Sequence, residues 1–212
     1  MTLLSDLRDA VVDGDHGRAG DLARQAIAQG MAPKTILDDG LIAGMTVVGE
    51  RFREHEIFLP DVLLAARAMY AGMDLLKPLL IRDGVPAIGK VVIGTVRGDL
   101  HDIGKNLVGI MLKGAGFDVI DLGHDVAPQK MVDAAREHAA TVIGMSALLT
   151  TTMPVMREVV DLLRAQGLAG RIRTVIGGAP VTAAFAREIG ADAYGFDAAN
   201  AVDVVKALAG RA

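Results

Sequence analysis

The chain has no cysteine and no tryptophan, and aromatic residues make up only 3% of its 212 positions. Without cysteine there is no disulfide, no thiolate metal site, no iron–sulfur cluster and no cysteine nucleophile. Lys and Arg nowhere form a run, and the net charge is −4 with both signs interspersed. The electrostatic footprint of a nucleic-acid or membrane-surface binder is therefore missing. No stretch reaches the roughly 18 uninterrupted apolar residues of a membrane span. The opening Met1-Thr2-Leu3-Leu4-Ser5-Asp6 carries early polar residues and no apolar signal core. A cytoplasmic protein with neither nucleic acid nor membrane as partner is the expectation. What the chain has instead is a 51% hydrophobic fraction built mainly of Ala, Val, Leu and Ile, enough for one large or two small cores.

Two periodicities divide it. Residues 2 to about 82 carry helical spacing. Leu3, Leu4, Leu7, Ala10 and Val11 form one stripe, Asp13-Gly14-Asp15 interrupts it, and Ala19, Leu22, Ala23, Ala26 and Ile27 form a second that stops at Gly30. Pro33 opens a third helix and Pro60 a fourth, so an antiparallel four-helix bundle is expected over 1–84. From Lys90 short Val/Ile-rich runs alternate with helical stretches: Lys90 to Thr95, Asp118 to Leu122, Thr141 to Ser146, Arg173 to Ile176, and Ala193-Tyr194-Gly195. Five such runs predict a five-stranded parallel, doubly wound α/β domain over 88–212. The Gly/Pro-punctuated Ile81 to Ala87 reads as the linker.

In a parallel sheet, ligands sit at the carboxyl ends of the strands. After the first predicted strand comes Gly98-Asp99-Leu100-His101-Asp102-Ile103-Gly104, after the third Ser146 to Thr152, and after the fourth Gly177-Gly178. His101 stands where it can reach a ligand, and Asp99 or Asp102 can accept its other ring N–H. The same residues also suit a helix start capped by Asp99. Hydroxyls after the third strand supply neutral donors and acceptors, and paired glycines let backbone approach a bulky flat ligand. Neither Gly-x-Gly-x-x-Gly nor Gly-x-x-x-x-Gly-Lys-Ser/Thr is present, which disfavours a dinucleotide or P-loop nucleotide. His16, His55, His124 and His138 lack a common metal-ligand spacing. Glu54-x-Glu56 and Asp38-Asp39 read as solvated helix charges, and most of the methionines read as core filler.

Asp99-x-His101-x-x-Gly104, then Ser146-x-Leu148, then Gly177-Gly178, resembles the cobalamin-binding fingerprint. Gly44-Met45-x-x-Val48-Gly49-Glu50-x-Phe52, Phe58-Leu59-Pro60-Asp61-Val62-Leu63 and Ala65-Ala66-Arg67-x-Met69 look like the helical cap of methionine synthase and of corrinoid proteins of methyltransferase systems. The resemblance spans nearly the whole chain. It implies a flavodoxin/Rossmann-like cobalamin domain behind a helical cap, with Gly98, Asp99, Leu100, His101, Asp102 and Gly104 at the cofactor. It makes His101 the lower axial cobalt ligand in place of the cofactor's own displaced base, with Asp99 behind it and Thr152 extending the relay. It places the nucleotide tail in a cleft of Ser146, Leu148, Thr150, Gly177 and Gly178, closed by Ala198, and it lays Phe52 and Leu59 over the upper corrin face. Arg53-Glu54-His55-Glu56-Ile57 departs from the cap's usual pattern.

The implied function is a methyl shuttle, not a complete enzyme. It would take a methyl group from a substrate-specific methyltransferase and yield it to a second methyltransferase whose acceptor is tetrahydrofolate or a thiol, with a reductive activator as a further partner. The donor, the final acceptor and the native corrinoid form are not written in such a carrier. A cobalamin-dependent sensor would share both halves, but such photoreceptors usually add a DNA-binding domain and a cap tryptophan. A mutase small subunit would share only the α/β half.

Overall fold

Caps set where each helix begins. In the computed structural model, which describes residues 2–210, α1 (Leu3–Val12) starts behind Thr2. The Thr2 hydroxyl accepts the Ser5 N–H at 3.2 Å, and the Ser5 hydroxyl accepts the Thr2 N–H at 2.9 Å. α2 (His16–Ala28) starts behind Asp15, whose carboxylate accepts the Arg18 N–H at 2.9 Å, and ends before Gly30 in the left-handed region. Pro33 opens α3 (Pro33–Thr35), which continues through a π-helical segment, Ile36–Ile42, into α4 (Ala43–Arg53). Pro60 lies in the first turn of α5 (Leu59–Arg82), where Asp61 accepts the Phe58 N–H at 2.9 Å.

The expected helical half is present with two differences. The third helix contains the π segment, which i, i+3, i+4 counting does not detect. The linker is shorter than its composition suggests, because the buried stripe through Leu76 and Leu80 carries α5 past Pro78, so Ile81 and Arg82 are helical. Two compact units result: residues up to Ala87 with Gly114–Gly116, and Ile88–Lys113 with the residues from Phe117 onward. In the helical unit Leu7, Val11, Ile36, Leu41, Val62, Met69 and Leu76 are buried. Small residues bring its helices close: a Cβ on Gly44 would stand 2.7 Å from the Val11 Cβ, and one on Gly40 would stand 2.6 Å from Leu7 Cδ2.

The second unit alternates β1 (Lys90–Thr95), α6 (Ile103–Gly114), β2 (Asp118–Asp121), α7 (Pro128–Glu137), β3 (Val142–Ser146), α8 (Pro154–Ala165), β4 (Arg173–Gly177), α9 (Ala183–Ile189), β5 (Ala193–Gly195) and α10 (Ala198–Ala209). All pairings are parallel, in the order β2-β1-β3-β4-β5. Val92, Ile143 and Ile176 of the strands join Met131, Met156 and Ile189 of α7, α8 and α9 in one core cluster. Against β1, α6 packs so tightly that a Cβ on Gly109 would lie 2.7 Å from Ile93 Cδ1. Chain order reverses direction across the sheet between β1 and β3, and at such a switch point the loops leaving the two strands diverge and open a crevice.

Candidate cofactor site

At that crevice the loops after β1 and β3 are joined through one carboxylate. Asp99 is fully buried. Its Oδ1 accepts the His101 N–H at 3.0 Å and lies 2.8 Å from His101 Nδ1. Its Oδ2 accepts the N–H groups of Leu148 at 2.7 Å and Leu149 at 3.1 Å, and the Thr152 hydroxyl stands 2.9 Å away. Burial opposes ionisation of Asp99, but the His101 backbone and ring N–H and the two loop amides outweigh it, holding the carboxyl well below the usual carboxylate range. An ionised carboxylate only accepts, so Nδ1 carries the proton. His101 Nε2 is then the ring atom left for a ligand, on a side chain that is 53% exposed. Thr152 has a single hydroxyl proton and two acceptors in reach, Asp99 Oδ2 and the Leu149 carbonyl at 2.8 Å.

The capping alternative for Asp99 does not describe this geometry: α6 begins at Ile103, and Asp99 is spent on His101 and the β3 loop. Asp102 does not hold the imidazole; its carbonyl accepts the Asn106 N–H at 2.8 Å. Gly98 adopts φ +83, and Leu100 and Ile103 are 65% and 72% exposed. A Cβ on Gly104 would meet no atom within 4 Å. Around His101 the chain thus presents an apolar, uncrowded surface.

Ser146 ends β3 opposite Gly177 of β4 and Thr95 of β1. Gly178 follows at φ +126, and a Cβ there would lie 1.9 Å from the Ala147 carbonyl oxygen, so only glycine fits. Leu148 and Thr150 are exposed on the β3 loop, and Ala198 is buried at the start of α10 behind the N-cap Asp197. The α/β unit therefore gathers Gly98 through Gly104, Ser146, Leu148, Thr150, Gly177 and Gly178 on its carboxyl edge. Phe52 and Leu59 belong to the helical unit, half-buried on α4 and at the first position of α5.

Three residues beside the site were not singled out by sequence reasoning. Lys105 is 3% exposed and both of its oxygen partners belong to Asp121, at 2.5 and 2.6 Å. Asp125 accepts the Gly98 N–H at 2.7 Å. A signal for Lys105 exists: it lies on the Lys105, Gly109, Leu112 stripe, the buried face of α6. Asp121 and Asp125 carry no such mark, since Lys105 lies 16 residues from Asp121 and Gly98 lies 27 residues from Asp125.

The donor set limits the ligand. Among the described residues no group of three or more His, Asp or Glu side chains can hold a metal ion. A metal bound through His101 Nε2 would therefore bring its other ligands with it, and the exposed Leu100 and Ile103 together with the open space at Gly104 leave room for a broad complex. A B12-binding domain model matches residues 89–205, and a second B12-binding domain model matches residues 3–77. Trimethylamine corrinoid protein 1 of Methanosarcina mazei is 42% identical over 207 residues, covering 97% of this chain and 96% of that protein. The crystal structure of the methanol:cobalamin methyltransferase complex MtaBC from Methanosarcina barkeri contains a chain that superposes with a TM-score of 0.89 at 32% identity, covering 99% of this chain and 80% of that one. A cobalamin-binding protein from Desulfitobacterium hafniense superposes with a TM-score of 0.80 at 36% identity, covering 98% of each chain. With relatives this similar over nearly its full length, the chain belongs to the B12-binding family of corrinoid proteins, and its cofactor is a cobalamin or related corrinoid.

Proposed function

We propose that the protein is a methyl carrier that holds its corrinoid in the base-off, His-on form and exchanges the methyl group with two separate methyltransferases. The observation that carries this reading is the 2.8 Å contact between His101 Nδ1 and the buried Asp99, which leaves Nε2 as the ligating atom. The bound corrinoid supplies a cobalt centre able to accept and release a methyl group; the chain supplies binding, ligation and shielding. Asp99 fixes the His101 tautomer and strengthens Nε2 as a donor. The nucleotide tail is assigned to Ser146, Leu148, Thr150, Gly177, Gly178 and Ala198, where Gly178 lets a ligand approach backbone. Phe52 and Leu59 are assigned to the upper face of the corrin, as an apolar lid that must open for each partner.

A relative named for trimethylamine and a structural neighbour solved in a methanol:cobalamin methyltransferase complex support the first partner, a substrate:corrinoid methyltransferase. The acceptor-side methyltransferase, using tetrahydrofolate or a thiol, and a reductive activator complete the cycle. Ligation is tested on protein loaded with cobalamin and reduced to the paramagnetic Co(II) state. Electron paramagnetic resonance is expected to show hyperfine splitting from one axial nitrogen that changes on 15N-histidine labelling and is lost in His101→Ala. Wild-type splitting that ignores the label, or label-sensitive splitting that survives in the variant, removes His101 as the ligand. Carriage is tested by mixing the reduced protein with methylamine- and methanol-specific methyltransferases and following methylation of the cofactor by absorbance; failure with all of them counts against the shuttle.

A further inference from the structure

The loop that carries His101 is fastened at two points by the end of β2 and the loop after it, a strand that contributes no residue to the cofactor surface assigned above. On one side Lys105, in the first turn of α6, is buried to 3% exposure with its ammonium between the two Asp121 oxygens at 2.5 and 2.6 Å. Lysine is almost never buried this far unless paired. Asp121 Oδ1 also accepts the Gly123 N–H at 2.9 Å, so the pair is continuous with the loop backbone. On the other side Asp125 accepts the Gly98 N–H at 2.7 Å, and its own N–H donates to the Asp99 carbonyl at 3.1 Å. Between these points the Thr95 N–H donates to the Gly123 carbonyl, and the Val126 N–H to the Thr95 carbonyl, both at 3.0 Å. Asp125 makes its two contacts from φ 54, a left-handed conformation that costs energy for a residue with a side chain and persists where surrounding contacts impose it.

We propose that Asp125 and the Lys105–Asp121 pair are positioning residues for the axial histidine. They clasp the two ends of the His101 loop, residues 98 and 105, to the β2 end, and so fix where Nε2 points. This rests on the reading of His101 as the cobalt ligand. None of the three touches the imidazole; they act through the backbone of Gly98 and Asp99 and through the start of α6.

The test uses the full chain with Asp125→Ala, which removes the acceptor, Asp125→Asn, which keeps an oxygen for Gly98, and Lys105→Met, which keeps the stem and removes the charge. In the protein without cofactor, 15N NMR of the His101 ring reads the tautomer directly. In the cobalamin-loaded Co(II) protein, the axial nitrogen splitting reads the ratio of His-on to His-off. Asp125→Ala and Lys105→Met are expected to mix the ring tautomers and to lower that ratio about tenfold, in keeping with the loss of outer-shell support at metal ligands. Asp125→Asn is expected to restore both readouts to wild type. Circular dichroism checks that each variant is folded; Asp125 lies on an exposed loop, so its pair of variants decides if Lys105→Met does not fold. A wild-type tautomer and ratio in folded Asp125→Ala overturns the clasp while His101→Ala still loses the splitting. If 15N-histidine-sensitive splitting persists in His101→Ala, the ligand assignment falls, and the clasp with it.

Discussion

Asp99 is where residue-scale chemistry has the largest consequence. Its carboxyl is held well below the usual range, while in the unfolded chain it titrates near about 3.9. As pH falls, protons therefore bind the unfolded chain first. The stability that Asp99 contributes is fully present above about pH 4 to 5 and is lost as pH drops toward the low folded value. Asp99→Asn removes this dependence and at neutral pH leaves donors poorly matched, costing about 1–3 kcal/mol. Urea unfolding across pH checks both: the variant starts lower and declines less steeply in acid, and parallel curves would refute the assignment. At this scale the sequence was half legible. A histidine behind an apolar strand with an aspartate on either side was visible, and the family resemblance chose Asp99 over Asp102, the choice the 2.8 Å contact to Nδ1 matches. The amides of Leu148 and Leu149 at the same carboxylate were not legible, since backbone donors 49 and 50 residues away leave no trace in residue type.

Among the elements, the turn after β4 tolerates least. A Cβ on Gly178 would sit 1.9 Å from the Ala147 carbonyl, so Gly178→Ala forces the β3 and β4 ends apart. We expect a loss of about 3 kcal/mol or more, a forbidden φ compounding a backbone clash, together with weaker corrinoid retention. Chemical denaturation and gel filtration of the loaded protein read the two effects; a substitution that is silent in both would show that the turn relaxes freely. Element types and order were readable from the chain, because helical stripes of small apolar residues and unbroken Val/Ile runs have different periods. The π-helical Ile36–Ile42 was not, because its identity lies in which carbonyl each amide selects. The buried Lys105 went unread for a related reason: a lysine on an amphipathic helix is ordinarily solvated, and its partner Asp121 belongs to a strand end beyond that helix.

For the whole molecule, we propose that the chain is organised as a helical domain over 1–84 and an α/β domain over 88–212. The connection after Arg82 is short, and Asp83, Gly84, Pro86, Ala87 and Ile88 are exposed. Brief treatment with a low-specificity protease is expected to cut between residues 83 and 89 first, giving two fragments by mass spectrometry, each with its own circular dichroism signature. First cuts inside either half would argue against that division. Every donor to Asp99 is the protein's own, and no buried side-chain nitrogen or oxygen among the described residues lacks a partner. The orientation of the imidazole is therefore set by the chain's own groups, so His101 faces an incoming ligand already aimed.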